Sequence, residues 1–512
     1  MKVVVIGSGV SGLTAAAFLA RDGHQVTVCE QFGQIGGVTA TLWEEGFGWD
    51  LGPLMLEGIG PGEPAGEVLA EVGVARRIRL ERGERGICFP DFRIMPPASY
   101  GGPYWRREYL KELFPAEKAG LDRYYRFYDQ MMDLAALSNH AERAAGLRAF
   151  LLKARLWLAF LRVMQMKNWN AAQVMDHFFR DPRLKAIYTV ILADFVVPPS
   201  LFPGLLVPLV NPETAFDKRI PTRLSPSVTG ARPAFHYVIG GCGKLVEALA
   251  EVVRQHGGEI RTGTRVQKIM VEDGRVTGVR FEDGRCEPAG LVIASGGAHE
   301  TFFGLVGREH LPGDFATRVA NVPFMESVLM VHVGIDFDPT PYQPIPLCYY
   351  YNTYDVEGGI ERCRCGEYHE GKDGFLIYIP SLHSPEMAPP GHHAVTVYTI
   401  APNHLSEGTW TQRRDEMADK LLAEAGKVIP GLGERAQVKV ILTPHDFRVR
   451  TLQEHHSFGG VAPVLGRSGA PHKTPLRGLW FVGAQSESNA GVANSIVGAW
   501  RAVRMIRKEG WT

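Results

Sequence analysis

The first thirty residues of this 512-residue chain contain the pattern that most restricts its fold. Residues 3–6 are a short β-branched run, typical of a buried parallel strand, and lead into the G-x-G-x-x-G pattern of Gly7, Gly9 and Gly12. The alanine-rich stretch 13–20 predicts a helix. In such a unit the first glycine allows a tight turn, the second lets a pyrophosphate approach the backbone, and the third lets the helix pack close to the strand. The pattern therefore predicts a dinucleotide-binding unit whose helix N-terminus faces the phosphates.

A second predicted strand, 26–29, completes this unit and ends at Glu30, whose carboxylate can accept hydrogen bonds from both ribose hydroxyls. The double glycine Gly36-Gly37 follows and lets a long, extended cofactor pass close to the backbone. This feature favours FAD over NAD as the cofactor. The predicted cofactor-binding residues of this region are Gly7, Gly9, Val10, Ser11, Gly12, Glu30, Gln31, Gly36, Gly37 and Val38.

The middle of the chain contains a second set of sheet elements, which begins after the glycine-rich segment 239–245. That segment lacks the G-x-x-x-x-G-K-[ST] spacing of a triphosphate loop, so we exclude a nucleoside triphosphate site. Residues 266–281 predict a β-hairpin around Asp273-Gly274, a dipeptide typical of tight hairpin turns. Residues 291–294 predict a further buried strand, which would return the chain to the N-terminal sheet.

The C-terminal residues 478–499 predict another buried strand, a glycine turn and a glycine-tolerant helix. The N-terminus of this helix can face the pyrophosphate or the carbonyl edge of the flavin. A plain strand and helix packed on the core is the alternative, but the pairing of one glycine after the strand with another before the helix favours the cofactor. Both chain ends are thus predicted to meet around one elongated cofactor. The predicted contacts at this end are Gly483, Ala484, Gly491 and Val492.

The D-x-G-P pattern at 50–53, together with the preceding double glycine, resembles the amine oxidase and carotenoid desaturase branches of the glutathione-reductase-like flavoproteins. More specifically, segments 1–53, 237–284 and 458–502 resemble the phytoene desaturase family, with its carotenoid isomerase and retinol saturase relatives. This resemblance implies that backbone at Val266 contacts the adenine of the cofactor.

The same resemblance implies an enzyme, an FAD-dependent oxidoreductase that desaturates, saturates or isomerises bonds of an apolar polyene or isoprenoid lipid. Family members often carry G-I-P-G near the last helix, whereas this chain has Gly491-Val492-Ala493-Asn494, which leaves the reaction open. A flavin amine oxidase of the same superfamily is one alternative. A non-catalytic prenyl-lipid carrier resembling the Rab GDP-dissociation inhibitors is another, although the intact glycine set argues against it.

We predict an α/β fold, in which a Rossmann-like FAD-binding domain of glutathione-reductase type carries an interleaved α+β substrate domain. The chain is too long for one compact core. The predicted FAD-binding domain comprises 1–95, 235–300 and 445–512, and the substrate-binding domain comprises 96–234 and 301–444. Interleaving follows if the chain leaves the first sheet and rejoins it twice.

Residues 146–166 predict an amphipathic helix that is rich in basic and aromatic side chains. Such a helix can lie on an anionic membrane surface. A core helix whose basic residues reach solvent is the other interpretation. The apolar residues that share one face are Leu147, Leu151, Ala154, Leu158 and Leu161.

The apolar segment 195–209 contains four prolines, so neither a helix nor a central strand can run through it. It suits either the wall of a tunnel for a long apolar substrate or an ordinary buried loop. The family resemblance favours the tunnel and a hydrophobic small-molecule substrate.

Composition limits the partners and the compartment. Lys plus Arg and Asp plus Glu are both 55, so the formal net charge is zero, which argues against nucleic acid. Seven scattered cysteines without a CxxC are typical of a reducing compartment. We interpret Cys363 and Cys365 as two loop thiols and expect no metal there, since zinc needs four ligands. With no signal peptide or membrane-spanning apolar run, we expect a cytoplasmic protein, with contact to a membrane surface left open.

The sequence contains no Ser-His-Asp, HExxH or paired-carboxylate motif, so we assign the redox chemistry to the flavin. Asp50 is a candidate acid or base near the flavin, or else a hydrogen-bond acceptor that fixes a turn. His455 and His456 either face the site or lie on the surface. Because there is no second G-x-G-x-x-G, we expect no NAD(P)H domain, which leaves quinone or oxygen as candidate electron partners.

Overall fold

The computed structural model describes residues 1–223, 232–454 and 459–511, so the predictions for His455 and His456 lie outside the described residues. The strands, in chain order, are β1 (Lys2–Ile6), β2 (Gln25–Cys29), β3 (Thr41–Glu44), β4 (Phe47–Asp50), β5 (Leu56–Glu57), β6 (Leu80–Arg82), β7 (Arg85–Cys88), β8 (Arg93–Ile94), β9 (Phe235–Val238), β10 (Glu259–Arg261), β11 (Val266–Glu272), β12 (Arg275–Phe281), β13 (Cys286–Pro288), β14 (Leu291–Ala294), β15 (Ser327–Ile335), β16 (Leu347–Tyr351), β17 (Gly374–Tyr378), β18 (His393–Ala401), β19 (Ala436–Leu442) and β20 (Leu479–Phe481). The α-helices are α1 (Val10–Arg21), α2 (Pro64–Val72), α3 (Trp105–Leu113), α4 (Lys118–Arg143), α5 (Gly146–Leu161), α6 (Ala171–Phe178), α7 (Pro182–Thr189), α8 (Gly243–Gln255), α9 (Gly313–Ala320), α10 (Val356–Arg364), α11 (Trp410–Gly426), α12 (Pro444–Thr451) and α13 (Val492–Lys508).

The N-terminal strand lies at the centre of a five-stranded sheet with the order β10-β2-β1-β14-β20. All of its neighbouring strands pair in parallel. One face packs against α1, α8 and α13, and the other packs against the sheet of β11, β12 and β13. Burial on both faces explains why β1 and β14 are continuous apolar runs. The predicted return of the chain to its first sheet is confirmed, since β14 pairs with β1 and β20 pairs with β14.

The predicted hairpin is also present, since β11 and β12 pair antiparallel. Asp273 and Gly274 connect them with φ angles of 47° and 71°. Two positive φ angles are what a type I′ turn requires, and this turn matches the right-handed twist of the paired strands.

A second, seven-stranded sheet has the order β19-β15-β18-β17-β16-β7-β8. Phe375 and Ile377 on β17 face α11, whereas Leu376 and Tyr378 face a core built largely from α3, α4, α6 and α7. This alternation follows from the two-residue period of a strand. We refer to the surface that carries Leu376 and Tyr378 as the inner face.

The position of β7 and β8 corrects the first predicted domain boundary. Both strands fall within the predicted FAD-binding segment 1–95, yet β7 pairs in parallel with β16 of the seven-stranded sheet. Hydrogen bonds between strands that are distant in sequence decide this placement. The other predicted domain boundaries remain predictions.

The predicted amphipathic helix is present as α5, but most of its apolar side chains are not part of the core. Leu147 is 74% exposed, Phe150 68% and Trp157 59%, and Leu152, at 8%, is the one buried side chain described in this helix. The interpretation as a core helix is therefore wrong. No described helix is long and apolar enough to cross a membrane. The basic side chains along and just after α5 are exposed as well: Arg148, Lys153, Arg155 and Arg162.

Candidate cofactor and active site

The turn after β1 is tight because several backbone segments meet there. The Gly7 N–H donates to the Cys29 carbonyl at 2.8 Å, and Gly7 has a φ of 94°, which favours glycine. A Cβ at Gly12 would lie 2.2 Å from the Gly7 carbonyl oxygen. A Cβ at Gly9 would instead meet no described heavy atom within 4 Å. Packing therefore requires the first and third glycines, whereas the second borders open space.

Glu30 follows β2 directly, and its buried carboxylate faces the glycine turn. Its Oε2 accepts hydrogen bonds from the Ser8 N–H at 2.9 Å and the Ser8 hydroxyl at 2.6 Å. Its Oε1 accepts from the Phe32 N–H at 2.9 Å. A carboxylate offers about four acceptor positions, so one remains for a ribose hydroxyl.

The double glycine lies against the glycine turn. Gly36 and Gly37 have φ angles of 108° and 57°, and Gly36 forms a parallel bridge with Gly9. The Gly36 N–H donates to the Ser8 carbonyl at 3.0 Å. The close approach that the sequence predicted is present, and it brings the two glycine motifs to one edge of the parallel sheet.

The two ends of the chain meet at this same edge. The Val482 N–H donates to the Ala294 carbonyl at 2.8 Å. Gly483 follows with a φ of 113°, and a Cβ there would lie 3.3 Å from the Ser295 carbonyl oxygen and 3.4 Å from the Ser11 hydroxyl. The predicted meeting of the chain ends is confirmed.

Two helices, α1 and α13, begin at this edge, and no described side chain caps either N-terminus. Their N-cap residues are Gly9 and Gly491, and neither helix has an acidic residue in its first turn. The first N–H groups of a helix have no intrahelical acceptor. A Cβ at either glycine would meet no described heavy atom within 4 Å. Uncapped N–H groups beside open space fit the pyrophosphate of FAD.

The remaining predicted contacts lie near this edge. The Thr264 N–H donates to the Glu30 carbonyl at 2.7 Å, which brings Val266, the first residue of β11, close to the end of β2. The Ala484 carbonyl accepts from the Val461 N–H at 2.9 Å. Their contact with a cofactor remains a prediction. The other predicted apolar contacts are buried or half-buried: Val10, Val38 and Val492.

Arg450 on α12 is a residue that the sequence analysis missed. Its Nε donates to the Gly37 carbonyl at 2.7 Å and its Nη2 to the Gln34 side-chain oxygen at 3.3 Å, while Gln31 Nε2 donates to the Arg450 carbonyl at 2.8 Å. Burial lowers the pKa of Arg450. The guanidinium adds a positive charge beside the double glycine. Because 413 residues separate Arg450 from Gly37, no local pattern indicated this contact.

Asp50 ends β4 and is 1% exposed. Its Oδ1 accepts from the Thr41 hydroxyl at 2.8 Å and the Cys242 N–H at 2.7 Å, whereas its Oδ2 has no partner among the described residues. Burial raises the pKa of Asp50 to about 6, although these hydrogen bonds lower it. Asp50 thus connects β3 to the segment before α8 and makes no hydrogen bond within its own D-x-G-P turn among the described residues, and its role as an acid or base remains a prediction.

Three further buried polar side chains that the sequence analysis missed form a cluster with Asp50 through Tyr237. The Tyr237 hydroxyl faces Asp50 without completing a hydrogen bond to it. The Tyr237 ring centre lies 5.3 Å from that of His383 and 6.0 Å from that of Tyr378. Burial lowers the pKa of His383 to about 4, so its ring is neutral at pH 7. Polar atoms of all four side chains lack described partners, which is unusual for buried groups and marks this polar cluster as the candidate reacting end of the site.

Leu376, two residues before Tyr378 on the inner face of the seven-stranded sheet, borders a largely apolar cavity. Three carboxyls border it, Asp194, Asp355 and Asp373, and the half-buried Asp194 accepts a hydrogen bond from the Tyr349 hydroxyl at 2.8 Å. Burial raises the pKa of Asp194 to about 6. The lining is mainly aromatic and aliphatic and includes Val190, Ala193, Leu376, Tyr398 and Ile400.

The proline-rich segment 195–209 packs into the core beside this cavity through Val197, Phe202 and Val207. No described lining residue of the cavity comes from this segment. The preference for a tunnel wall is therefore wrong for this cavity, and the segment acts here as a buried loop.

The family model for flavin containing amine oxidoreductases matches residues 10–507. The chain belongs to this family. Prolycopene isomerase from Daucus carota is 24% identical to this flavoenzyme over 511 residues, which cover 96% of this chain and 77% of that protein. Neurosporene-forming phytoene desaturase from Rhodobacter capsulatus is 24% identical and covers 98% and 93% of the two chains. The structure of putrescine oxidase bound to putrescine has a TM-score of 0.61 at 16% identity over 99% of each chain, which shows a shared fold.

These similarities confirm the predicted α/β flavoprotein fold and the predicted cofactor, FAD. They also confirm the resemblance to the carotenoid desaturases and isomerases. The flavoenzyme is an FAD-dependent oxidoreductase whose sequence is similar to carotenoid desaturases and isomerases.

We expect Asp50→Asn to stabilise this flavoenzyme at pH 8 relative to the wild type. The folded-state pKa near 6 lies above the ordinary value of 3.8, so the wild type loses stability as the pH rises from about 4 to 6 and stays at the lower level above that. Asparagine keeps an acceptor for Thr41 and Cys242 but carries no charge, so the gain is about 3 kcal/mol at most. Urea unfolding of the FAD-loaded protein between pH 4.5 and 8 measures it.

The control for this series is Asp314→Asn at an exposed position, which should show no pH-dependent difference from the wild type. A uniform loss of stability in Asp50→Asn across the whole pH range would show that the buried charge is not what limits stability.

We expect Glu30→Gln to weaken FAD binding by roughly 10- to 100-fold, because a charged acceptor for the ribose becomes a neutral amide. The dissociation constant is measured by flavin fluorescence on reloading the stripped protein. Glu44→Gln, exposed on β3, is the matched control. Ser8→Ala removes a donor to Glu30 but keeps the carboxylate, so an equal loss in both variants would assign the effect to the glycine turn instead of the ribose.

Proposed function

We propose that this protein moves a hydride between FAD and an apolar polyene or isoprenoid lipid, so that a C–C bond is desaturated or a C=C bond is saturated or isomerised. The observation that supports this most is the inner face of the seven-stranded sheet. On this face Tyr378 of the polar cluster lies two residues from Leu376, which borders a cavity lined mainly by aromatic and aliphatic side chains. A long apolar molecule can satisfy such a lining because it brings few polar groups that need partners. The similarity to a prolycopene isomerase and a phytoene desaturase is consistent with this substrate class.

In this proposal the cofactor lies across the carboxyl edge of the parallel sheet. The uncapped first turns of α1 and α13 would hold the pyrophosphate and the flavin carbonyl edge, Glu30 the ribose, and backbone at Val266 the adenine. Arg450 would add positive charge near the phosphates. When bound, FAD supplies the acceptance or donation of the hydride.

The protein itself would orient the substrate, exclude water from the site and provide a group that holds a proton. Burial of the polar cluster would keep water away from the reacting bond. The packed surroundings would hold the substrate C–H bond in one orientation. Asp50 Oδ2 would hold or release a proton, since a pKa near 6 leaves both protonation states accessible at neutral pH. The Tyr237 hydroxyl faces Asp50 and would orient that proton. Because His383 is neutral, it adds no competing positive charge beside Asp50.

Two predicted features belong to the same proposal. The first is the division into an FAD-binding and an interleaved substrate-binding domain, with 85–94 now assigned to the substrate side. The second is the electron partner, for which we propose a quinone or oxygen, since the sequence carries a single G-x-G-x-x-G unit.

We expect an apolar polyene to bleach the oxidised flavin under anaerobic conditions, or to be saturated or isomerised by the protein once its flavin is reduced. Absorbance spectra and the mass and chromatographic position of the product measure this. Putrescine at the same concentration should not change the absorbance spectrum of the oxidised flavin. Asp50→Asn should keep its FAD yet react at least about tenfold more slowly, as expected when a positioned acid or base is lost.

Two outcomes would overturn the proposed function. Bleaching by putrescine with release of an aldehyde would identify an amine oxidase. Purified protein that is colourless and cannot take up FAD would identify a lipid carrier.

We also propose that α5 rests on an anionic membrane surface, from which an apolar substrate would be taken up. The exposed side chains of Leu147, Phe150, Trp157 and Leu158 form an apolar strip along this helix. Exposed apolar groups of this size on one helix are unusual for a surface that faces water only. The four exposed basic residues on and just after the helix match the negative charge of anionic lipid headgroups.

We expect the wild type to cosediment with vesicles that contain phosphatidylglycerol, and to do so less at high salt. Phe150→Asp combined with Leu158→Asp should weaken binding at least about tenfold, since each buried apolar side chain contributes roughly 1.5–3 kcal/mol. Tyr342→Asp, an exposed aromatic position outside α5, is the control and should bind normally. Equal cosedimentation of the double variant and the wild type would exclude α5 as the contact.

A further inference from the structure

Three sulfur atoms converge on the outer side of the seven-stranded sheet, away from the inner face. Cys88 on β7 and Cys348 on β16 have Sγ atoms 3.6 Å apart. The Sδ atom of Met95, which follows β8, lies 4.0 Å from the Cys348 Sγ. Cys348 is fully buried and Cys88 is 8% exposed. Neither the cofactor region nor the polar cluster at Asp50 uses these residues.

Gly86 makes room for this sulfur cluster. Gly86 is the residue of β7 that pairs with Cys348 of β16. A Cβ at Gly86 would lie 2.2 Å from the Met95 Sδ and 3.1 Å from the Cys348 Sγ. The two sulfurs therefore occupy the space that a side chain would fill at this strand position.

The strand register argues against a simple disulfide. Cys88 pairs with Tyr350, so Cys88 and Cys348 are diagonal neighbours two residues apart on adjacent strands. Diagonal Cα atoms in a sheet are about 7–8 Å apart, whereas a disulfide needs about 4.4–6.8 Å. Oxidation would therefore require the backbone to move.

The sulfur spacing instead suits one bridging metal ion. With metal–sulfur bonds of about 2.3 Å and trigonal to tetrahedral angles, two ligand sulfurs lie about 3.8–4.0 Å apart. The two Sγ–Sγ and Sγ–Sδ separations in the structure, 3.6 and 4.0 Å, are close to this range. Two thiolates and a thioether are the soft ligands that prefer Cu⁺.

The cavity and the charge next to the three sulfur atoms are also compatible with a bound Cu⁺ ion. The cluster borders a cavity of about 240 Å³, whose lining includes Arg93, Tyr342 and Pro344. Arg93 brings a positive charge to the lining of this cavity. The same positive charge would offset the net negative charge of a Cu⁺ ion bound by two thiolates. The two thiol protons would leave to solvent as the metal binds, and no electron would be transferred.

We propose that Cys88, Cys348 and Met95 form a binding site for one Cu⁺ ion. No described group of three or more His, Cys, Asp and Glu side chains could hold a metal ion, and this cluster differs because a methionine completes it. The site is independent of the reaction proposed above.

The test is an anaerobic titration of the FAD-loaded protein with Cu⁺ in competition with a bicinchoninate chelator. We expect one high-affinity Cu⁺ per chain, accompanied by thiolate-to-copper absorption in the ultraviolet. Cys88→Ser and Cys348→Ser should each weaken binding by at least about 100-fold, because loss of a thiolate ligand exceeds the roughly 10- to 100-fold effect of an outer-shell partner. The near-isosteric Met95→Leu should weaken binding less, by about tenfold, because it removes a neutral thioether and leaves both thiolates. Cys286→Ser, at an exposed thiol elsewhere, is the matched control and should bind as the wild type.

A second measurement needs no variant. Bound Cu⁺ should slow iodoacetamide labelling of the slightly exposed Cys88 below its rate in the metal-free wild type and leave the exposed Cys286 and Cys365 equally reactive, as peptide mass spectra would show. Binding that is unchanged in Cys88→Ser and Cys348→Ser would overturn the proposal. So would a wild type that binds no Cu⁺ but forms a Cys88–Cys348 disulfide with diamide, which would make the cluster a redox pair.

Discussion

The structure depends on the close backbone approach at the carboxyl edge of the parallel sheet. Gly7, Gly12 and Gly483 pack there against Ser11 and Ser295, at distances that a side chain on any of these glycines would disturb. Because β1, β14 and β20 run in parallel, the segments that follow them leave the sheet at one edge. The helices α1 and α13 follow β1 and β20, and the glycine N-cap of each borders open space. The cofactor region is thus a consequence of strand order combined with missing side chains.

Asp50 connects this edge to the rest of the molecule. Its one satisfied oxygen holds both Thr41 of β3 and the Cys242 N–H next to the start of α8. Its other oxygen faces the buried polar cluster that leads onto the inner face of the seven-stranded sheet. A carboxyl in this position is costly to ionise because little water reaches it. Burial of Asp50 lowers the stability of the folded protein at high pH, where the carboxyl is ionised. The same burial suits Asp50 to hold a proton beside an apolar substrate.

The seven-stranded sheet separates different environments by the alternation of its strands. Arg85 and Ile87 of β7 point to one side, with Ile87 in the aromatic core, whereas Gly86 and Cys88 point to the side that holds the sulfur cluster. Each inward side chain on such a strand is followed by an outward one. A single short strand can therefore contribute to the substrate-side core and to a separate chemical site without interference between them.

Much of the cofactor region could be predicted from the sequence, because its signals are local. The glycine spacing after β1, Glu30 after β2 and the Asp273-Gly274 turn each specify a backbone conformation within a few residues, and the structure contains all three. The Asp50 hydrogen bonds, the Arg450–Gly37 contact and the sulfur cluster join residues that are distant in the chain, so they follow only from how the strands and helices assemble. The sequence by itself determined a flavin-binding α/β unit, since short glycine patterns allow few backbone paths. Only the tertiary structure decided that β7 joins the second sheet, since strand pairing between distant segments leaves no local signal. Only the tertiary structure decided, too, that the apolar face of α5 remains exposed, since an apolar stripe on a helix does not specify which surface will cover it.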